Sequence, residues 1–466
     1  MKNSQKTVLT SIFILLSITH LWAQTSKSKE IETLMDRAHR LGIFNGNVLV
    51  VEKGKTIYEA SWGYADGSKS RKLTPADRFN IGSIGKEFNA VGIMMLKEQS
   101  KLTLDDKVSK FLPDLPEWST KITIKNLLQY SSGLPDINWK TIQSDADIWN
   151  DMKQIQALQF EPGTNYAYNN SNVFLQRRII EKITGMPFHT FVETRMLTPC
   201  GMSASEVDPD MKGNNGTIAF NNDGVESPRQ FKYVMTGWTA VTAQDLYKWN
   251  ECLHSFRLIN RDSFKEILTP FAANRQSGLG GGSMEGGVIK EHFHHGSSFD
   301  FESFMYTAPS EGISIMLLTN NMNSKLFEIK DAIKAILQGK PYTAPKRSLF
   351  MTLRKNSENQ TIEQLLAQYN DLKANQSNDY NFENEDDLNQ LGYYLMNSKR
   401  LDDALRVFEL NVRLFPESAN VYDSLGEAYL NKGNKERALA NYKKSLELDP
   451  KNNGAKEAIE QLKKWK

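Results

Sequence analysis

Cysteine is nearly absent, with only Cys200 and Cys252 in 466 residues. Two thiols exclude a disulfide framework and a four-cysteine zinc site. They can pair with each other in an oxidising compartment, but spacing alone leaves that open. Charge of one sign is lacking too. The chain carries 57 basic and 55 acidic residues, a net charge of +2. That balance excludes the concentrated basic surface of a large nucleic-acid footprint, so no nucleic-acid partner is expected. Beyond the N-terminus, no apolar run approaches the roughly 20 residues of a membrane-spanning helix. What is present, 39% hydrophobic and 24% charged residues, is the composition of a globular protein with a sizeable core. The length sets a prior of about three domains.

Residues 1–23 have the build of a secretory signal peptide: Lys2 and Lys6, an apolar run from Val8 to Trp22, then Ala23 before a polar stretch. The mature protein is therefore expected in the periplasm or outside the cell. Leu21 is large for the third position before a cut, so an uncleaved anchor stays open; membrane attachment is expected only in that case.

Gly46 to Trp62 reads as two strands around Lys53-Gly54-Lys55. Ser83 to Glu98 is apolar on nearly every side, the pattern of a helix buried inside a domain. Helices and loops follow from Leu104 to Ser203. Strand patterns return at Gly286–His295, and then at Phe301–Thr307 and Ile313–Thr319 around a Pro309–Gly312 turn, before an amphipathic helix over Leu326–Leu337. Strands at both ends with helices between predict an α+β domain, one antiparallel sheet flanked by helices, over residues 35–338. Residues 339–385 read as a linker with one helix, Thr361 to Ala374. From 386 to 466 a repeat appears: Leu391-Gly392, Ala404, Phe408 and Pro416 recur as Leu425-Gly426, Ala438, Tyr442 and Pro450, about 34 residues later. That period and those residue types match tetratricopeptide helix pairs, two units with a capping helix from Gly454 to Lys464. Such pairs offer a surface for a protein partner or for self-association, or they simply pack on their neighbours.

Three elements carry chemistry. The first is Ser83-Ile84-Gly85-Lys86, an S-x-x-K at a helix start. Residues three apart share a helix face, so the lysine would lie beside the serine. A desolvated lysine can take a serine proton, and the helix N-terminus favours the negative charge that forms. The bland alternative is a helix cap beside an exposed lysine, and Ser26 to Lys29 matches the same tetrapeptide. The second element is Tyr168-Asn169-Asn170, after Glu161-Pro162-Gly163-Thr164. A tyrosine near an ammonium can act as a base, and an asparagine can position a lysine or a substrate amide. Tyr429-Leu430-Asn431 has the same spacing inside a repeat, so this element alone decides little. The third is His294-His295-Gly296, on a strand where glycine admits close approach of another backbone. His292 and His294 share one strand face, the start of a metal site, but no third ligand of good spacing accompanies them.

Taken in order, Ser83/Lys86, Tyr168/Asn170 and His294/Gly296 resemble the serine hydrolases of the class C β-lactamases, the related D-specific peptidases and the family esterases. Gly46-Asn47-Val48-Leu49-Val50, Leu127 to Pro135, Glu161 to Thr164 and Thr242-Ala243-Gln244-Asp245-Leu246 resemble the family's connecting segments. The resemblance implies that Ser83 is acylated, that Lys86 and Tyr168 move its proton, and that Asn170 positions Lys86 and the substrate. It places His294 where many members carry the lysine of K-[ST]-G, and makes the backbone N–H groups of Ser83 and Ser297 an oxyanion hole. It implies no metal and no organic cofactor.

The departures point to a branch. No K-[ST]-G occurs, and a histidine attracts a β-lactam carboxylate less than a lysine does. A peptidase or esterase, including one acting on D-amino-acid peptides, is therefore expected ahead of an efficient β-lactamase. A weak penicillin-binding or protein-binding module, acting through the repeats, is the alternative. Tyr130 stands where the family has histidine in its L-L-T-H segment. Ser297-Ser298-Phe299-Asp300-Phe301 replaces the family's glycine-rich G-x-x-G-F, which leaves the edge of the site open. Ile81 occupies the first glycine of a G-x-S-x-G elbow, which excludes the α/β-hydrolase arrangement.

Overall fold

The computed structural model describes residues 26–139, 142, 144–208, 216–227 and 239–464. The apolar leader lies outside them. The chain divides into two compact units, up to Pro345 and from Lys346 onward.

Among the described residues of the first unit, nine strands form two antiparallel sheets: β1 Gly46–Glu52, β2 Lys55–Trp62, β3 Phe79–Asn80, β4 Glu206–Val207, β5 Thr239–Val241, β6 Gly281–Glu285, β7 Val288–Ser298, β8 Phe301–Ala308 and β9 Ile313–Thr319. The main sheet runs β2-β1-β9-β8-β7-β6; the small one runs β3-β5-β4. Every residue of β8 and β9 is buried, because apolar layers cover both faces of the sheet. Alternation within β1 divides its side chains between them. Leu49 and Val51 join a large core with Phe88, Ile93, Phe174 and Trp249. Val48 and Val50 join a second core with helix residues 26–40 and the Leu326–Leu337 helix. This is the expected α+β architecture.

Two local readings change. The Gly286–His295 strand is Val288–Ser298, and Gly286 and Gly287 form its turn, with φ of 56° and 78°. The partner strand β6 carries no strand pattern in the sequence because it is glycine-rich. Gly281 is needed there: a Cβ would lie 2.4 Å from the Phe293 ring. Second, Ser83 sits on a 3₁₀ turn, Gly82–Gly85, and the α-helix proper is Lys86–Glu98.

Cys200 and Cys252 are joined in a disulfide, with Cα atoms 5.4 Å apart. It ties the segment after the Phe188–Val192 helix to the Ala243–His254 helix.

The second unit is helical. The repeats are Asp386–Asn397 with Leu401–Leu414 and Ala419–Asn431 with Lys435–Leu448, followed by Asn453–Lys464. Ala404 and Ala438 are wholly buried. Gly392 faces the Phe408 ring and Gly426 the Tyr442 ring, at distances that leave no room for larger side chains. The stretch read as a linker behaves differently. It holds two helices, Leu349–Ser357 and Ile362–Asn375, whose Leu353, Tyr369 and Leu372 share one core with Leu391 and Phe408. They supply the apolar surface that two repeats alone lack.

Candidate active site

Strand β3 leads into the 3₁₀ turn that carries Ser83. Gly82 has φ 51°, and a Cβ on it would lie 2.6 Å from the Ser297 nitrogen. From the other side, a Cβ on Gly296 would lie 2.0 Å from the Ile81 oxygen and 2.9 Å from the Ser83 nitrogen. Two glycines thus let β7 and the Ser83 turn touch backbone to backbone, and the Ser83 and Ser297 amides adjoin. Those are the two groups the sequence pattern assigns to an oxyanion hole. Ser303 strengthens the contact by donating its hydroxyl to the Ile81 carbonyl at 2.9 Å.

Lys86 donates from Nζ to Ser83 Oγ at 2.8 Å. The lysine is buried and the serine half-buried. The Tyr168 ring lies beside Lys86, its centroid 5.3 Å from Nζ. The Tyr168 hydroxyl is buried and has no hydrogen-bond partner among the described residues, so it is available to a third group entering the site.

The segment Tyr130–Asp136 holds Tyr168 in place. Ala167 N–H donates to the Tyr130 carbonyl at 2.9 Å, and the Asn169 amide donates to the Leu134 carbonyl at 2.8 Å. Asn170 N–H reaches Asp136 at 2.9 Å. Asn169 also caps the Asn170–Thr184 helix, which explains the Asn-Asn pair. Tyr130, which the sequence left without a role, is 2% exposed and packs its ring 4.6 Å from that of Tyr168. Burial pushes the Tyr130 hydroxyl up, and its tyrosine neighbours push the same way. The Asn170 side chain makes no hydrogen bond to Lys86, a contact the sequence pattern had suggested; the lysine is given to Ser83 instead.

His294 also departs from its expected setting. It is 2% exposed, and its Nδ1 lies 2.8 Å from Oε1 of Glu87, the residue after Lys86. Burial lowers the His294 pKa, and Glu87 pulls it back only in part. It therefore brings no cation to the site, unlike a lysine. His292 Nε2 lies 3.1 Å from the same carboxylate oxygen and 3.0 Å from the Leu279 carbonyl. Trp249 donates to Glu87 Oε2 at 2.7 Å. The two histidines that suggested a metal pair instead converge on one buried carboxylate. Burial alone would raise Glu87, but His292 and His294 outweigh it and hold the carboxyl at about 2. Sequence reading missed Glu87; the available signal was an acidic residue inside a helix with little polar face.

A cavity of about 320 Å³ is lined by Arg275, Gly281, Glu291, Phe293, His294 and His295, and Ser83, Lys86 and Tyr168 are not among its walls. Arg275 lies 5.3 Å from the Tyr166 ring centre. The open site edge resolves into a tight β7–β8 turn, with Phe299 at φ 52° and 48% exposed.

The β-lactamase family model matches residues 28–340. The chain belongs to the beta-lactamase family. Members of this serine hydrolase family among its relatives include penicillin-binding protein 4* of Bacillus subtilis, 28% identical, covering 69% of this chain and 78% of that protein. The protein flp of Staphylococcus aureus is 27% identical, covering 64% of each chain. Among solved structures, a class C beta-lactamase has the same fold, with TM-score 0.59, 17% identity, and coverage of 69% of this chain and 98% of that one. So does the D-amino acid amidase of Ochrobactrum anthropi, with TM-score 0.57, 20% identity, and coverage of 67% and 99%. A tetratricopeptide repeat model matches residues 419–452.

Proposed function

We propose that this protein is an exported serine hydrolase that cleaves an ester or amide through an acyl-enzyme on Ser83. The observation that carries the reading is the 2.8 Å bond from Lys86 to Ser83 at the contact between β7 and the 3₁₀ turn. Ser83 Oγ attacks the carbonyl carbon as its proton passes to Lys86 or Tyr168. The oxyanion lies between the Ser83 and Ser297 amides, and the leaving alcohol or amine takes the proton back. Water then enters, is deprotonated by the same groups, and releases the acid and free Ser83. Asn170 lines the approach as a substrate contact. The neutral His294 favours ester or peptide hydrolysis, D-amino-acid peptides among them, over efficient β-lactam turnover. The amidase neighbour is compatible with amide chemistry, and the penicillin-binding relatives keep slow acylation by β-lactams as the second reading.

The signal-peptide pattern and the Cys200–Cys252 disulfide support a periplasmic or secreted location. The repeat supports a role in protein interaction.

Intact-mass analysis after fluorophosphonate treatment tests the hydrolase reading. One adduct is expected on the wild type and none on Ser83→Ala. Lys86→Gln is expected to slow labelling about 10²–10⁴-fold, the usual contribution of a general base. Full labelling of Ser83→Ala would refute the assignment. Short-chain esters, D-peptides and a chromogenic cephalosporin then separate the branches.

A further inference from the structure

Four side chains from three elements meet behind Ser83 in a way the hydrolase reading does not require. Glu87 comes from the Lys86–Glu98 helix, His292 and His294 from β7, and Trp249 from the Ala243–His254 helix. Glu87 is wholly buried. Its Oε2 faces the Trp249 indole N–H, which can only donate. His292 Nε2 faces two acceptors, Glu87 Oε1 and the Leu279 carbonyl, so it must carry a proton. His292 Nδ1 meets His254 Nε2 at 3.0 Å, which extends the network to the end of the third element. A carboxylate already holding two donors is satisfied as an anion. The remaining nitrogen, His294 Nδ1 at 2.8 Å from Oε1, then donates as well. That leaves Nε2 as the one ring nitrogen His294 can offer the cavity it lines. The ring cannot turn away: Gly280 approaches so closely that a Cβ there would lie 2.5 Å from His294 Cγ.

We propose that Glu87 is a positioning residue that locks His294 as the neutral Nδ1–H tautomer, so that the cavity His294 lines meets an uncharged acceptor, Nε2. The proposal rests on the hydrolase reading and deepens it. A lysine at this place would offer the cavity a charged donor. The locked imidazole offers an acceptor, suited to a substrate N–H or to the Tyr168 hydroxyl, which has no partner of its own among the described residues. The charged and titratable groups around His294 are Glu87, His292 and Lys86, with Glu291, His295 and Arg275 across the cavity. Burial keeps the ring neutral against the pull of the Glu87 carboxylate, which fixes the tautomer but favours the charged form.

Histidine-labelled ¹⁵N spectra of the full chain test this, with His294 assigned from a His294→Gln spectrum. The wild type is expected to show His294 with a protonated Nδ1 and a bare Nε2, unchanged between about pH 5.5 and 8.5. Glu87→Gln is expected to release the ring to the Nε2–H tautomer, still neutral, because the carboxylate was the group that favoured the charged form. The same variant should slow fluorophosphonate labelling of Ser83 about 10–100-fold, the usual cost of losing the partner that orients an imidazole. An Nε2–H ring in the wild type would overturn the proposal, and that spectrum needs no variant to fold. An unchanged tautomer in Glu87→Gln would overturn it too. A wild type with the locked ring but no fluorophosphonate adduct would overturn the hydrolase reading and leave the lock standing.

Discussion

Gly296→Ala is the sharpest test of the contact that organises the site. The added Cβ would lie 2.0 Å from the Ile81 oxygen and 2.9 Å from the Ser83 nitrogen. Both are backbone atoms, so no side chain can swing aside. Even to reach 3.0 Å, β7 and the Ser83 turn must part by about 1 Å. Overpacking of this kind costs about 1–3 kcal/mol. The functional effect should exceed the loss of stability, because the displaced atoms belong to the nucleophile turn and to its oxyanion partner. A shift of about 1 Å in a reacting group costs on the order of 10²-fold in rate. The assay pairs urea unfolding followed by tryptophan fluorescence with the rate of fluorophosphonate labelling. A Gly296→Ala protein with the wild-type midpoint and labelling rate would refute the argument that this glycine is demanded by backbone contact.

Three further outcomes follow from the structure. Asp208 is raised to about 6, because burial outweighs the attraction of Arg177. The unfolded carboxyl titrates near 3.9, so between the two values the folded state binds more protons and stability falls as pH rises; Asp208→Asn should flatten that slope in urea midpoints from pH 4 to 7, by on the order of 1–3 kcal/mol, and an unchanged slope would count against it. Replacing Cys200 and Cys252 by serine should cost about 2–4 kcal/mol, and the wild type should lose the same amount in reductant; equal melting temperatures with and without reductant would contradict the pairing. In the repeats, Gly392→Ala should destabilise more than Gly426→Ala, since the new methyl meets Phe408 at 2.5 Å but Tyr442 at 3.1 Å; thermal unfolding giving the reverse order would refute the packing account.

Several features were legible in the chain because their causes are local. A repeat of identical residue types at a fixed period needs no distant partner to be seen. The S-x-x-K spacing places Lys86 beside Ser83 through helix geometry alone, and the 2.8 Å bond agrees. The β8–β9 hairpin and the Leu326–Leu337 helix follow from apolar periodicity bounded by Pro309 and Gly312. β6 was not legible: Gly281 leaves room for the Phe293 ring and Gly282 for the Glu291 carbonyl, both on another strand.

The amino-acid sequence by itself determined the helix pairs of the tail, the buried helix after Ser83, and the three motifs in their order. Each depends on side chains a few positions apart, where backbone geometry fixes which ones share a face. Only the tertiary structure decided how His294 is used. Glu87 and His294 stand 207 residues apart, and their meeting depends on the register of β7 against the Ser83 turn, which Gly82 and Gly296 permit by leaving out their side chains. The same holds for Cys200 and Cys252, whose approach to 5.4 Å is set by the packing of two helical segments rather than by their spacing. Proton positions and charge at a site depend on what is buried beside what, and burial is a property of the folded chain.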